Sequence, residues 1–121
     1  MIKILFICHG NICRSPMAEF VFRQMAEQAG LAERFDVASA ATTDEEIWNG
    51  YGNPVYPPVE RLLRAHGMDP SDKRAVLLMA GDYAVYDYFI GMDDENIRDM
   101  RRILKGDPQG KVHKLLEYSD G

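Results

Sequence analysis

The feature that most constrains this chain is an apolar run that ends in a cysteine, Ile2-Lys3-Ile4-Leu5-Phe6-Ile7-Cys8. A polar, glycine-containing stretch follows it, and a helix signal then begins at Ser15-Pro16. A short apolar run with one charge suits a buried parallel strand. Ser followed by Pro reads as an N-cap and a first-turn proline. Met17, Val21, Met25 and Ala29 recur every four residues, with Ala18 and Phe22 beside them, and predict one apolar helix face that Gly30 stops. A strand that passes through a tight loop into a helix is the opening of a parallel α/β fold.

The rest of the chain keeps that alternation. Phe35-Asp36-Val37-Ala38-Ser39-Ala40 predicts a second strand. The connection from Thr42 to Pro58 is rich in Gly, Asn and Pro, and a loop of that length in a small domain is usually functional or mobile. Val59, Leu62, Leu63 and His66 mark a second helix closed by Gly67, and Met79 to Tyr86 predicts a short one. Asp87 to Met92 predicts a third strand. The helix opened by Asp93-Asp94-Glu95 carries Ile97, Met100 and Leu104 on its apolar face, with Arg101, Arg102 and Lys105 at its end to complement the dipole. Lys111 to Leu116 predicts a fourth strand. The expected fold class is α/β, a four-stranded parallel sheet with helices on both faces and an anion-binding loop between the first strand and the first helix. The 121 residues are read as one domain.

Charge and composition narrow the function. Fourteen basic residues against nineteen acidic ones give a net charge of −5, which argues against a nucleic-acid partner, since that needs a cationic face. The run Ile4 to Cys8 is too short to span a bilayer or to serve as a secretory signal, so no membrane partner and a cytoplasmic location are expected. No GxxxxGK[ST] motif occurs, which argues against a nucleotide kinase. Two cysteines are too few for a disulfide scaffold, yet both fall in the segment between strand and helix.

That segment is Cys8-His9-Gly10-Asn11-Ile12-Cys13-Arg14-Ser15, which contains Cys-x5-Arg. Its backbone N–H groups can curl into an anion nest, and the following helix adds the positive end of its dipole. Gly10 is expected to supply a backbone angle that other residues resist. Arg14 offers a planar fork matched to two phosphate oxygens. Cys8, at the strand's end under the anion, is then a thiolate nucleophile aimed at the phosphorus of a phosphate monoester. The Ser15 hydroxyl can donate to that thiolate or cap the helix. A zinc site on Cys8, His9 and Cys13 would lack a fourth ligand and clash with the nest, so no metal and no cofactor are expected.

Cys8-His9-Gly10-Asn11-Ile12-Cys13-Arg14-Ser15-Pro16 resembles the phosphate-binding signature of the low-molecular-weight protein tyrosine phosphatases. Ser39-Ala40-Ala41-Thr42, Gly91-Met92-Asp93 with Asn96, and Lys111 to Leu116 extend the resemblance along nearly the whole chain. It implies hydrolysis of phosphotyrosine proteins or small aryl phosphates through a cysteinyl-phosphate intermediate. Cys8 is then the nucleophile and Arg14 the phosphate ligand. His9, Gly10, Asn11, Ile12, Cys13 and Ser15 form the substrate-binding loop, braced by Asn11 and Ser15. It also implies that Cys8 and Cys13 can pair when oxidised. Arsenate reduction in the same fold relays electrons through further cysteines, and none follows Cys13. Protein-arginine phosphatases tend to carry threonine where Ile12 stands. A non-catalytic phosphate or phosphoprotein binder is the alternative from another class.

Two departures from the family pattern stand out. The family's general acid is an aspartate in an Asp-Pro-aromatic motif after the fourth strand, and that motif is not found here. Asp69-Pro70 and Asp107-Pro108 are read as turn formers. The expectation is therefore a domain completed by a C-terminal segment or a second chain. The stretch Trp48-Asn49-Gly50-Tyr51-Gly52-Asn53-Pro54 is longer than the family's common cleft wall, and Trp48 and Tyr51 are candidates to stack on a phosphotyrosine ring.

Overall fold

The computed structural model describes residues 1–118. Strand β1 (Ile2–Cys8) lies at the centre of a four-stranded sheet of order β2-β1-β5-β6, with β2 Phe35–Ala41, β5 Tyr88–Gly91 and β6 Val112–Lys114. All three pairings are parallel. Helix α1 (Arg14–Gln28), α2 (Pro57–Ala65) and α3 (Asp94–Ile103) supply the connections, and a small antiparallel hairpin, β3 (Ile47–Trp48) with β4 (Tyr51–Gly52), stands apart.

Residues of β1 alternate between two cores, as the period of a strand requires. Ile4 and Phe6 join Val37 and Ile90 under Ala18 and Phe22 of α1. Leu5 and Ile7 join Phe89, Met100, Leu104 and Val112 on the α3 side. From Ile4 onward β1 is buried without a break, which is why its sequence reads as a continuous apolar run. A third cluster, Val55, Val59 and Leu63, packs α2 against Met17 and Phe20 of α1. An apolar groove of about 410 Å³ remains on the α1 face, lined by Ile2, Phe22, Phe35, Tyr88 and Leu115 among others. Among the described residues no helix is long and apolar enough to cross a membrane.

Several expectations are corrected. The buried face of α1 is Ser15, Pro16, Glu19 and Ala26, whereas Val21 and Met25 are exposed. The regular four-residue spacing followed a stripe that rotates off the core side, because α1 packs on both the sheet and α2. The cap of α1 is Cys13, not Ser15, and it makes no side-chain capping bond. The fourth strand is only Val112–Lys114, and residues 115–118 turn into a 3₁₀ helix. The long connection is ordered by the hairpin, whose Asn49-Gly50 turn has positive φ at both residues (51° and 79°), the geometry of a type I′ turn. Gly52 permits that hairpin to lie against the chain, since a Cβ there would sit 2.0 Å from the Ala75 carbonyl oxygen.

Candidate active site

The loop between β1 and α1 sits at the carboxyl end of the central strand, where open parallel sheets bind their ligands. Cys8 ends β1 and is buried, at 3% exposure. Three donors converge on its sulfur. The Asn11 backbone N–H lies 3.3 Å away, the Ser15 backbone N–H 3.4 Å, and the Ser15 hydroxyl 3.0 Å. Ser15 does not cap its own helix because it lies inside α1 with its hydroxyl engaged by Cys8 and Asn11.

The direction of the Ser15 hydroxyl follows from a chain of fixed partners. The Val76 backbone N–H donates to Asn11 Oδ1 at 3.0 Å. That fixes the Asn11 amide so that its Nδ2 donates to Ser15 Oγ at 2.8 Å. With its oxygen accepting from Asn11, the Ser15 hydroxyl has its one proton left for Cys8 Sγ. Asn11 and Ser15 are essentially inaccessible, and Asn11 adopts a left-handed backbone with φ 59°. The unusual backbone angle thus belongs to Asn11, not to Gly10, whose φ is ordinary. Gly10 answers a different need, because a Cβ there would come 3.2 Å from Glu46 Cγ of the long connection.

Arg14 opens α1 with its side chain half in solvent. Its Nη1 donates to Asp93 Oδ2 at 2.8 Å, which holds the Asp93 carboxyl below the usual range and raises the guanidinium. Asp93 caps α3 at the same time, accepting from the Asn96 N–H at 2.9 Å. Sequence reasoning did not assign Asp93 a part in the site. Its place at the carboxyl end of β5, next to β1, was the available signal.

The other predicted residues divide. His9 Nε2 pairs with Glu45 at 3.0 Å, and its carbonyl accepts from the Thr43 N–H and hydroxyl, so it ties the loop to the long connection. The Ile12 carbonyl accepts from the Tyr56 N–H at 2.8 Å, and Ile12 lines a cleft of about 360 Å³ with Glu46, Asn53 and Tyr56. Cys13 packs against the α2 cluster, and both cysteines are free thiols. Trp48 and Tyr51 face each other across the hairpin and are 70% and 72% exposed, with the Arg74 guanidinium 5.8 Å from the Tyr51 ring centre. Among the described residues, neither aromatic makes a hydrogen bond or ring contact with the loop.

Both Asp-Pro aspartates are structural. Asp107 accepts from the Tyr83 hydroxyl at 2.6 Å and from the Lys111 and Val112 N–H groups at 2.7 and 3.1 Å. Burial works against its charge, but these bonds outweigh it and hold the carboxyl low. Asp69 accepts from the Ser71 N–H at 3.0 Å and pairs with Arg64.

The fold and site together define a parallel α/β protein with a cysteine-centred loop between its first strand and first helix. The family model described as low molecular weight phosphotyrosine protein phosphatase matches residues 3–121. The chain is 38% identical over 119 residues to the low molecular weight phosphotyrosine protein phosphatase of Schizosaccharomyces pombe, a match covering 98% of this chain and 72% of that protein. It is 40% identical over 100 residues to the Homo sapiens protein of the same name, covering 83% of this chain and 60% of that one. The crystal structure of YfkJ from Bacillus subtilis superposes with a TM-score of 0.91 at 35% identity, over 99% of this chain and 73% of that one. The chain belongs to the low molecular weight phosphotyrosine protein phosphatase family.

Proposed function

We propose that this chain hydrolyses phosphotyrosine in proteins, and small aryl phosphate monoesters, through a cysteinyl-phosphate intermediate on Cys8. The observation that carries the reading is the convergence of two backbone N–H groups and the Ser15 hydroxyl on Cys8 Sγ. Donors aimed at sulfur favour the thiolate, the form that attacks phosphorus. The Sγ–P bond forms as the P–O bond to the tyrosyl oxygen breaks, and the bonding pair leaves with the phenolate oxygen, which takes up a proton. Water then attacks the cysteinyl phosphate, releasing inorganic phosphate and returning the thiolate. Arg14 keeps N–H groups free beyond the one given to Asp93, and these supply the fork for the phosphate oxygens. His9, Gly10, Ile12 and Cys13 complete the loop, and Trp48 and Tyr51 offer stacking faces for the tyrosyl ring. A reducing compartment such as the cytoplasm fits the reading, because the nucleophile works only as a free thiol.

Cys8→Ser tests this. Turnover of p-nitrophenyl phosphate should disappear, while vanadate or phosphate binding, measured by calorimetry, persists because the amides and Arg14 remain. Substantial turnover by Cys8→Ser would overturn the mechanism. Absence of a stoichiometric nitrophenolate burst from the wild-type chain would favour a phosphate-binding module.

A further inference from the structure

One turn along α1 from Ser15 lies a second charged cluster that the reaction as described does not use. Glu19 of α1 is buried, with a side chain 7% exposed. Its Oε1 accepts from the Ser39 hydroxyl at 2.5 Å, and its Oε2 pairs with Arg23. Lys73 has a side chain only 12% exposed, donates to the Ser39 carbonyl at 3.0 Å, and lies 3.9 Å from Glu19 Oε1. The cluster therefore sets two cations, Arg23 and Lys73, against one carboxylate.

Arg23 already has the closer contact with Glu19 and a second bond, to the Val37 carbonyl at 2.8 Å. The surplus positive charge therefore rests on Lys73. Burial pulls the Lys73 ammonium below its ordinary range; Glu19 and Cys8 act to keep it charged and Arg23 opposes them. Burying an ammonium without a full counter-charge is costly. Other groups that line the same cavity, of about 310 Å³, are Asp82 and Tyr86. Asp82 has an oxygen engaged by the Met79 N–H at 2.9 Å.

Geometry ties the cluster to Cys8: Glu19 stands one turn along α1 from Ser15, whose hydroxyl meets Cys8 Sγ at 3.0 Å, and the Cys8 sulfur is among the groups that act to keep Lys73 charged. Ser39, which holds Lys73, pairs in register with Phe6, two residues before Cys8. The segment carrying Lys73 is also pinned to the loop, since the Val76 N–H bonds Asn11 and its carbonyl accepts from the Ala41 N–H at 2.7 Å. Arg14, half in solvent at the start of α1, is already paired with Asp93.

We propose that Lys73, held by Ser39 and Glu19 on the α1 side of the sheet, is a positioning residue whose charge stabilises the Cys8 thiolate before substrate arrives. The proposal rests on Cys8 as the nucleophile but concerns the resting thiol, so it is measured without turnover. Five groups set the field: Lys73 and Arg23 favour the thiolate, Glu19 opposes it, and Arg14 favours it with Asp93 compensating.

The test is the pH dependence of Cys8 alkylation by iodoacetamide in the 121-residue chain, with the modified cysteine identified by mass spectrometry. For Lys73→Met the midpoint should rise by about one pH unit, and alkylation below both midpoints should slow about tenfold. Lys73→Arg should restore the wild-type midpoint. Lys73→Gln keeps a donor for Ser39 and serves as the second arm if Lys73→Met does not fold. A folded Lys73→Met or Lys73→Gln chain with the wild-type midpoint overturns the proposal. If Cys8→Ser instead retained turnover, the phosphatase mechanism would fail while this measurement still stood.

Discussion

Arg14 and Asp93, seventy-nine residues apart, are joined by a 2.8 Å charged hydrogen bond across the mouth of the loop. Asp93 does two jobs with one carboxylate, since Oδ1 caps α3 and Oδ2 orients the guanidinium. Two substitutions separate the jobs. Asp93→Asn keeps a capping oxygen and should leave stability within about 0.5 kcal/mol, because the pair is half-exposed and Asn caps as well as Asp. Asp93→Ala should cost about 1 kcal/mol from the lost cap. Both should lower kcat/KM for p-nitrophenyl phosphate, because Arg14 loses its orientation. Urea melts beside steady-state rates check this, and unchanged kcat/KM in both variants would show that Asp93 serves only α3.

The sheet was legible because β1 is buried on both faces and so reads as an unbroken apolar run. The loop was legible because its chemistry is local, with Cys8, Asn11, Arg14 and Ser15 falling within eight residues. What could not be read were the partners that tertiary folding brings. Asp93 reaches the site from the turn between β5 and α3 and the Val76 N–H from the connection between α2 and β5, and no local pattern marks them. The face of α1 was misjudged for the same reason, since two neighbours share it and the stripe that α1 buries includes the polar Ser15 and Glu19.

Asn11 should be costly to replace. It is buried, has φ 59°, and bridges the Val76 N–H to the Ser15 hydroxyl. Asn11→Ala leaves the Val76 N–H unpaired, takes from Ser15 Oγ its donor and forces a Cβ residue without a compensating side-chain bond into the left-handed region, for a loss of about 2–4 kcal/mol. Asn11→Gly relieves the backbone part and should recover about 1 kcal/mol of it. Chemical denaturation measures both, and equal stability of the two variants would mean that backbone strain plays no part.

Asp107 should matter for stability and not for catalysis. Its folded-state pKa is held below the unfolded value, so its contribution is present above about pH 4 and is lost as pH falls through the folded value. Asp107→Asn should therefore flatten the acid limb of the stability curve and destabilise the chain at pH 7, with kcat per folded molecule unchanged. Thermal melts from pH 3 to pH 7 for both chains make the comparison. An unaltered acid limb would assign the pH dependence to other carboxylates.

The final prediction concerns the leaving group. Tyrosyl phosphate expels a phenolate whose conjugate acid has a pKa of about 10, and a positioned acid typically contributes about 10²–10⁴-fold to such a step. Neither Asp-Pro aspartate is available for it, since Asp107 locks the turn before β6 and Asp69 is paired with Ser71 and Arg64. The 121-residue chain should then be slow on phosphotyrosine and faster on p-nitrophenyl phosphate, whose leaving group needs less help. A plot of kcat/KM against leaving-group pKa for a series of aryl phosphates should fall steeply. A flat plot with full phosphotyrosine activity would place the general acid within these residues. Glu45 and Glu46 would then be the first to substitute, since the connection that carries them lies directly against His9 and Gly10 of the loop.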